Sequence, residues 1–176
     1  MSKFIVDTNV LITACKFSVR GVPVIKLITD TSNLIISSAV HEEVVSSSDR
    51  YPDALVAREL IEAGTIEVRG VRFREYDILN RYKLGKGEKE SIALAIEMNE
   101  DVDFIVTDDR LAYIVMKRME LNTPLFLDLI VTLVERDMLT REVASGIVRA
   151  VESRYPEGFI YHTIKILEMG ARRWLS

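Results

Sequence analysis

The sequence predicts an α/β protein in which helices cover both faces of a central parallel sheet. Short apolar runs of strand length alternate with longer segments of helical pattern, and this alternation is typical of βαβ units. The chain has 176 residues, of which 48% are hydrophobic, so it can bury a substantial core. Acidic residues recur where strands should end, at the edge where open parallel sheets bind ligands.

Five short segments are predicted as strands. The first is apolar from Phe4 to Val6 and ends in Asp7, which is typical of a buried strand. The last follows a turn that contains Asn122. The predicted strands are residues 3–7, 33–37, 65–69, 103–107 and 123–127.

Helices are predicted between the strands. Asn9 and Ser38 are residue types that cap helices, while Pro23 and Pro52 suit a first helical turn. Residues 18–21 should interrupt the chain, and residues 70–85 should form a loop with one helical turn. The predicted helices are 9–15, 23–30, 39–45, 52–64, 87–99 and 109–119.

From residue 128 onward the pattern is helical only, with helices predicted at 128–136, 140–153 and 159–169. Leu129, Ile130, Leu133 and Val134 form an apolar stripe that requires a partner. We therefore expect a main domain at 1–127 and a helical extension at 128–176. The extension should pack on that domain or on a second subunit rather than supply catalysis.

Composition excludes several classes of protein. The net charge of −4 excludes a surface coated in basic residues, although an acidic cleft neutralised by a cation still permits nucleic-acid binding. The single cysteine, Cys15, excludes an intrachain disulfide framework and is expected to be a small buried side chain. No apolar run approaches membrane-span length, and the first strand leaves no room for a secretory signal. We expect a soluble cytoplasmic protein.

Four acidic clusters carry the predicted chemistry. Carboxylates that converge in one cleft repel each other unless a cation compensates their charge. Mg²⁺ and Mn²⁺ prefer such oxygen ligands, so the pattern indicates metal-assisted chemistry on a phosphate-bearing substrate. The clusters are Asp7, Glu42 with Glu43, Glu88 with Glu90, and Asp108 with Asp109.

Helical projection selects one acid from each glutamate pair. Glu43 lies within the apolar arc of its helix and Glu42 lies outside it. Glu88 lies on the apolar face in the first turn of its helix, where the helix dipole favours an acid, and Glu90 lies on the polar face. Glu43 and Glu88 are therefore the predicted metal ligands, and Glu90 is a solvated neighbour.

The two aspartate clusters leave alternatives open. Asp7 follows a strand and is either a helix cap or a site residue, because Asp is favoured in both positions. The repeat of an acid beside a threonine at Thr107-Asp108 favours the site, but it does not distinguish Asp108 from Asp109 as the direct ligand. Polar neighbours are expected to orient carboxylates or hold metal-bound water. They are Thr8, Asn9 and Thr107, with Glu90 beside them.

A loose basic run precedes the third acidic cluster. It starts at Arg69, Arg72 and Arg74, and Glu75 and Asp77 interrupt it, so a solvated segment is one interpretation. If the run flanks the metal site, it supplies contacts to an RNA backbone. The candidates for RNA binding are Arg81, Lys83, Lys86 and Lys89. His41 and His162 lack metal-ligand spacing and are interpreted as structural or surface residues.

Four blocks of this sequence resemble the PIN domain family of metal-dependent ribonucleases. They occur in the order and at the intervals of that family and together cover roughly residues 3–127. The Gly-Glu-x-Glu form of the third block departs from many toxin-type members and is similar to a prokaryotic subgroup with extra C-terminal helices. The blocks are Phe4 to Ile12, Ser37 to Val44, Gly87 to Ala95, and Phe104 to Asp109.

The resemblance implies a three-layer α/β/α sandwich that self-associates, usually as a dimer. It implies Mg²⁺ or Mn²⁺ bound by acids at the positions of Asp7, Glu43, Glu88, Asp108 and Asp109. The implied activity is endonucleolytic cleavage of RNA. Members include toxins with an antitoxin partner and RNA-processing enzymes, and the sequence does not select between them.

Two other functions remain as alternatives. A non-catalytic RNA-binding module would keep the fold without the activity. A haloacid-dehalogenase-like phosphotransfer enzyme would use Asp7 as nucleophile. It would need a second acid two residues later, where this chain has Asn9, and a downstream lysine that we do not find.

Overall fold

A computed structural model describes residues 2–72 and 78–170. Four parallel strands form its central sheet, in the spatial order β5-β4-β1-β6, and two short antiparallel strands, β2 and β3, form a separate hairpin. The strands are β1 (Ser2–Val6), β2 (Ser18–Val19), β3 (Val22–Pro23), β4 (Ser32–Ser37), β5 (Ile66–Arg69) and β6 (Phe104–Val106).

Helices connect the parallel strands and continue after them. They are α1 (Thr8–Lys16), α2 (Val24–Thr29), α3 (Ser38–Ser47), α4 (Pro52–Glu62), α5 (Lys86–Met98), α6 (Arg110–Arg118), α7 (Phe126–Glu135), α8 (Arg141–Ala150) and α9 (Glu157–Met169). Short 3₁₀ turns lie at Leu79–Arg81, Asn99–Asp101 and Glu152–Arg154.

The two faces of the sheet belong to two separate hydrophobic cores. In β1, Phe4 and Val6 pack into one core and Ile5 into the other, because side chains alternate along a strand. The first core includes side chains of α1, α2 and α7, and the second is formed mainly with α5 and α6. Burial of both faces explains why the buried parts of β1, β4 and β6 are apolar, whereas the edge strand β5 carries the exposed Glu67 and Val68. The predicted α/β/α sandwich is confirmed.

The C-terminal helices share the first core. Leu129, Ile130 and Leu133 of α7 are almost completely buried in the same cluster as Phe4 and Leu11. The apolar stripe expected at residues 128–136 thus has its partner within this chain. The division into a domain at 1–127 and an extension at 128–176 stays a prediction.

The predicted strand at 123–127 is wrong. The carbonyl of Asn122 accepts a hydrogen bond from the amide of Ile105 at 3.0 Å, so the chain does run beside β6 there. Pro124 has no N–H with which to extend a ladder, and α7 begins at Phe126. The apolar run was therefore the start of a helix.

The sequence also predicted only a break at residues 18–21, where the structure has the hairpin of β2 and β3. Its turn is formed by Arg20 and Gly21, which both have positive φ, 51° and 80°. Two positive φ values match the primed turns that favour two-residue hairpins. As a consequence, Pro23 belongs to β3 and α2 begins at Val24.

Two further expectations concern burial. Cys15 is buried, and burial raises the pKa of its thiol to about 12, so it remains a protonated core side chain. Within the two described ranges, no helix combines the length and apolarity needed to cross a bilayer.

Candidate metal centre

The candidate site lies where three strands of the sheet end. β1, β4 and β6 are each followed within a few residues by the N-terminus of a helix, α1, α3 and α6 respectively. Because these strands are parallel neighbours, their carboxyl ends meet at one edge of the sheet. Helix N-termini there add partial positive charge, which favours acidic side chains.

Asp7 is buried at the centre of this edge and is the N-cap of α1. Its Oδ1 accepts a hydrogen bond from the amide of Val10 at 2.8 Å, and its Oδ2 accepts one from the Thr107 hydroxyl. Only 1% of the residue is exposed. The sequence posed the cap and the site as alternatives, and the geometry is compatible with both roles at once.

The pKa of Asp7 is raised from its ordinary value of 3.8 to about 7. Burial is the largest cause, and the nearby charges of Asp108 and Glu88 raise the pKa further. The hydrogen bonds from Thr107 and Val10 act in the opposite direction. Two carboxylates from other segments of the chain therefore influence this buried acid.

Thr107 is fully buried and connects the two aspartate clusters. It donates to Asp7, and its Oγ1 accepts a hydrogen bond from the amide of Asp109 at 3.0 Å. The Asp109 carboxylate caps α6 by accepting from the amide of Ala112 at 2.7 Å. The threonine thus has the geometry expected of a residue that orients a carboxylate.

Asp108 faces the C-terminal helices. Its Oδ1 accepts a hydrogen bond from the amide of Phe126 at 3.1 Å, and its Oδ2 accepts one from the Tyr155 hydroxyl at 2.5 Å. Burial, followed by the charge of Asp108, raises the pKa of Tyr155, so the phenol stays protonated and donates. Asp108 influences the pKa of Asp7, and Asp109 caps a helix; which of the two is the direct ligand stays a prediction.

Glu43 points inward from α3 and is held at both oxygens. Its Oε2 accepts a hydrogen bond from the Thr8 hydroxyl at 2.5 Å, and its Oε1 accepts one from the amide of Gly87 at 3.2 Å. A Cβ at Gly87 would lie 2.9 Å from Glu43 Oε1, so the absence of a side chain there makes room for the carboxylate. Glu42, by contrast, is exposed and forms an ion pair with Lys86.

Glu88 and Glu90 diverge at the start of α5. The Glu88 carboxylate folds back over Gly85, where an added Cβ would lie 2.3 Å from Glu88 Oε2, and its charge reaches Asp7. Glu90 is half-buried rather than fully solvated, and it lines a separate cavity of about 420 Å³. Both acids are half-buried, so Glu90 is less exposed than the projection predicts, and the assignment of Glu88 as the ligand stays a prediction.

The predicted RNA-binding residues do not form one patch of free cations. Arg81 and Lys83 are exposed, Lys86 pairs with Glu42, and Lys89 Nζ donates to Asn80 at 3.3 Å. Lys86 and Lys89 line the same cavity as Glu90. Arg74, Glu75 and Asp77 lie outside the described residues.

Two of the predicted acids, Asp108 and Glu88, lie within electrostatic reach of a third, Asp7. The Glu43 carboxylate accepts a hydrogen bond from Thr8, the residue that follows Asp7, while Asn9 is exposed. As the side chains lie, no three acids, histidines or cysteines of residues 2–72 and 78–170 are close enough to hold an ion together. His41 is half-buried on α3, and His162 is exposed and lines a cavity beside Asp108.

The sequence does not predict the hydrogen bond from Tyr155 to Asp108. The residue follows a 3₁₀ turn at Glu152–Arg154 and stacks on Phe126, with ring centroids 6.4 Å apart and planes at 5°. Nothing in the local pattern distinguishes it from an ordinary half-buried tyrosine before a turn. Its contact with Asp108 depends on how α7, α8 and α9 fold back toward the sheet edge.

Comparison with known proteins agrees with this architecture. Among solved structures, the chain is similar to a PilT N-terminus domain protein, SSO1118, from the hyperthermophilic archaeon Sulfolobus solfataricus P2. The two share 14% sequence identity and a TM-score of 0.50, over 72% of this chain and 89% of the other. At this identity the likeness shows the fold alone. No curated protein matches the chain in sequence.

A family-level match is more extensive than the structural one. The model of the family DUF3368, described as a PIN domain, matches residues 3–161 and so includes Tyr155 as well as all five candidate acids. The chain therefore belongs to the PIN domain family, a fold generally of metal-dependent nucleases.

Proposed function

We propose that this chain is an endoribonuclease that hydrolyses RNA phosphodiester bonds with the aid of Mg²⁺ or Mn²⁺. The observation that carries the proposal is the buried Asp7, whose pKa is raised by burial and by the charges of Asp108 and Glu88. Such an arrangement is unfavourable for three ionised carboxylates alone and becomes favourable when a cation compensates them. In a PIN domain, that cation is the expected cofactor.

The donor set fits a hard divalent cation. Asp7, Glu43, Glu88 and Asp108 would hold it, with Asp109 beside them, and all offer carboxylate oxygens. When bound, the cation supplies charge compensation and Lewis-acid activation for attack on the phosphodiester. The protein orients these oxygens, since Thr107 donates to Asp7, Thr8 to Glu43 and Tyr155 to Asp108.

Contacts to the RNA backbone are proposed at Arg81, Lys83, Lys86 and Lys89. Arg81 and Lys83 are exposed, and Lys86 and Lys89 line the cavity beside Glu90. Cations near an acidic cleft offset its repulsion of phosphates and position the strand. Self-association as a dimer and, for a toxin role, an antitoxin partner remain predictions.

The decisive experiment is titration of the purified chain with Mg²⁺ or Mn²⁺ in the presence of end-labelled single-stranded and structured RNAs. We expect cleavage that depends on the cation and is lost with EDTA. Asp7→Asn should reduce the rate by roughly a thousandfold, equivalent to about 4 kcal/mol of transition-state stabilisation. The variant should remain folded, because asparagine can still accept the amide of Val10.

Circular dichroism and thermal unfolding are the controls for this variant. If Asp7→Asn unfolds the protein, Asp7 is chiefly a structural cap. Full activity of the variant would remove Asp7 from the site. Metal-independent RNA binding without cleavage by the unmodified chain would instead support the non-catalytic module.

A further inference from the structure

A second cavity, of about 590 Å³, opens beside the acidic centre. One of its lining residues is Asp108, and most of the others come from the segment that includes Tyr155 and the first turns of α9. The cavity is therefore lined both by a candidate site acid and by the C-terminal helices, for which the sequence predicts only a packing role.

The cavity presents aromatic surface. Phe159 lines it and is 57% exposed, so its ring is accessible from the cavity. Tyr155 lines it as well and is fixed by its stacking on Phe126 and its hydrogen bond to Asp108. A flat apolar ligand would find an aromatic partner here next to the acids.

The charges around the cavity favour a neutral ring over a phosphate inside it. Asp108 and Asp128 both line it, and two carboxylates repel a phosphate. Arg154 also lines it and is exposed, and across the described part of the chain its guanidinium makes no ion pair or hydrogen bond. The cavity thus offers aromatic surface and carboxylate acceptors, with one cation available for a flanking phosphate.

We propose that this cavity binds an unpaired nucleobase of the RNA next to the cleaved bond, with Phe159 stacking on the base and Arg154 contacting the adjacent phosphate. The inference rests on the proposed function and adds to it a base-binding subsite formed by the C-terminal helices. A base within an A-form duplex is stacked and paired, so only an unpaired base can turn its face to an aromatic side chain.

The test measures binding rather than cleavage. Fluorescence anisotropy with EDTA present compares a labelled single-stranded RNA of mixed sequence with the same RNA annealed to its complement. The unmodified chain should prefer the single strand. Phe159→Ala should weaken that binding by about tenfold, the scale of one lost base stack. Duplex binding should change less than about twofold.

Tyr161→Ala is the matched control. Tyr161 is also an exposed aromatic of α9, at 64%, but it does not line the cavity. Its removal should leave the single-strand affinity within about twofold. Phe159→Trp should restore binding, because tryptophan also stacks on bases. Arg154→Gln should weaken binding about threefold and reduce the salt dependence by about one phosphate contact.

The outcomes separate this proposal from the nuclease itself. Selective loss of single-strand binding in Phe159→Ala supports the cavity even if the chain cleaves no RNA. Cleavage by the unmodified chain with an unchanged affinity and KM in Phe159→Ala overturns the cavity and leaves the nuclease intact. Equal binding of duplex, or no binding of single-stranded RNA, also overturns it. So does a change in oligomeric state of Phe159→Ala with RNA binding retained, because the cavity would then be an interface between copies.

Discussion

The candidate metal centre has two groups of acids, here called its walls, that are built differently. The glutamate wall consists of Glu43 of α3 and Glu88 of α5, and Thr8 and Gly87, at the starts of α1 and α5, position Glu43. The C-terminal wall consists of Asp108 with Tyr155, which is 47 residues away in sequence. The two glutamates are predicted by the local periodicity of their helices. The contact between Asp108 and Tyr155 depends on the packing of the chain as a whole. The sequence therefore predicts one part of the candidate site and not the other.

Removal of residues 128–176 is the most drastic test of the C-terminal wall. Leu129, Ile130 and Leu133 would be lost from the core shared with Phe4 and Leu11. Because burial of each such side chain contributes about 2 kcal/mol, the 1–127 fragment should lack a cooperative thermal transition. A soluble, fully active 1–127 fragment would show that the extension is a separable unit and that the C-terminal wall is dispensable.

The pKa of Asp7 is raised first by burial and then by the charges of Asp108 and Glu88, so the pH dependence of stability measures these effects together. In metal-free protein its folded pKa of about 7 exceeds the ordinary value of 3.8. The folded state then holds a proton that the unfolded chain has released, and stability should fall as pH rises from about 4 to about 7. Urea unfolding with EDTA should show a loss of about 3 kcal/mol across this range.

Asp7→Asn is the control for this pH dependence. Asparagine does not titrate, so the variant should lose most of the decline in stability between these pH values. An equally steep decline in Asp7→Asn would assign the pH dependence to other groups. It would also weaken the electrostatic argument for the site.

Within the glutamate wall, the two acids of α5 should differ strongly. Glu88→Gln should lower metal-dependent cleavage by roughly a hundredfold, or about 2.7 kcal/mol, because the Glu88 charge reaches Asp7. Glu90→Gln should cost less than about threefold, since Glu90 lines a different cavity. Rates at saturating Mn²⁺ provide the comparison, and the reverse ranking would show that the other face of α5 serves the site.

The smallest expected effect concerns how the C-terminal wall is held. Tyr155→Phe removes only the hydroxyl that donates to Asp108 and should weaken Mn²⁺ binding by about tenfold, as for other groups that orient a ligand. Calorimetric titration of metal-free protein with Mn²⁺ measures this affinity directly. Tyr161→Phe, on the exposed surface of α9, is the control. Tighter binding in Tyr155→Phe would mean that the phenol competes with the cation for Asp108.

Most of the fold could be predicted because β1, β4 and β6 are buried on both faces and because helices such as α1, α3, α6 and α8 begin at a capping Asp, Ser or Thr. The failures have specific physical causes. The apolar run at 123–127 predicts a strand, but Pro124 has no N–H with which to extend a ladder. The hairpin turn uses Arg20 at a positive φ, and arginine carries no signal for that conformation, unlike asparagine or aspartate.

The candidate site divides in the same way. Helical projection selected Glu43 over Glu42 from the period of α3 alone, and the structure places Glu43 against Thr8 while Glu42 is exposed. The choice between Asp108 and Asp109 depends on contacts with Phe126 and Tyr155, and no local pattern contains them. Periodicity gives the face of a helix, whereas contacts between distant segments require the assembled fold.

The position of β1 in the sheet has a consequence for motion. β1 has β4 on one side and β6 on the other, so its backbone amides should exchange with solvent only when the whole protein unfolds. The backbone amide of Tyr155, in contrast, follows a short 3₁₀ turn outside the sheet and should exchange through smaller local openings, although its side chain is held by Phe126 and Asp108. We therefore expect the backbone that carries Asp7, at the end of β1, to be better protected from exchange than the segment that carries Tyr155.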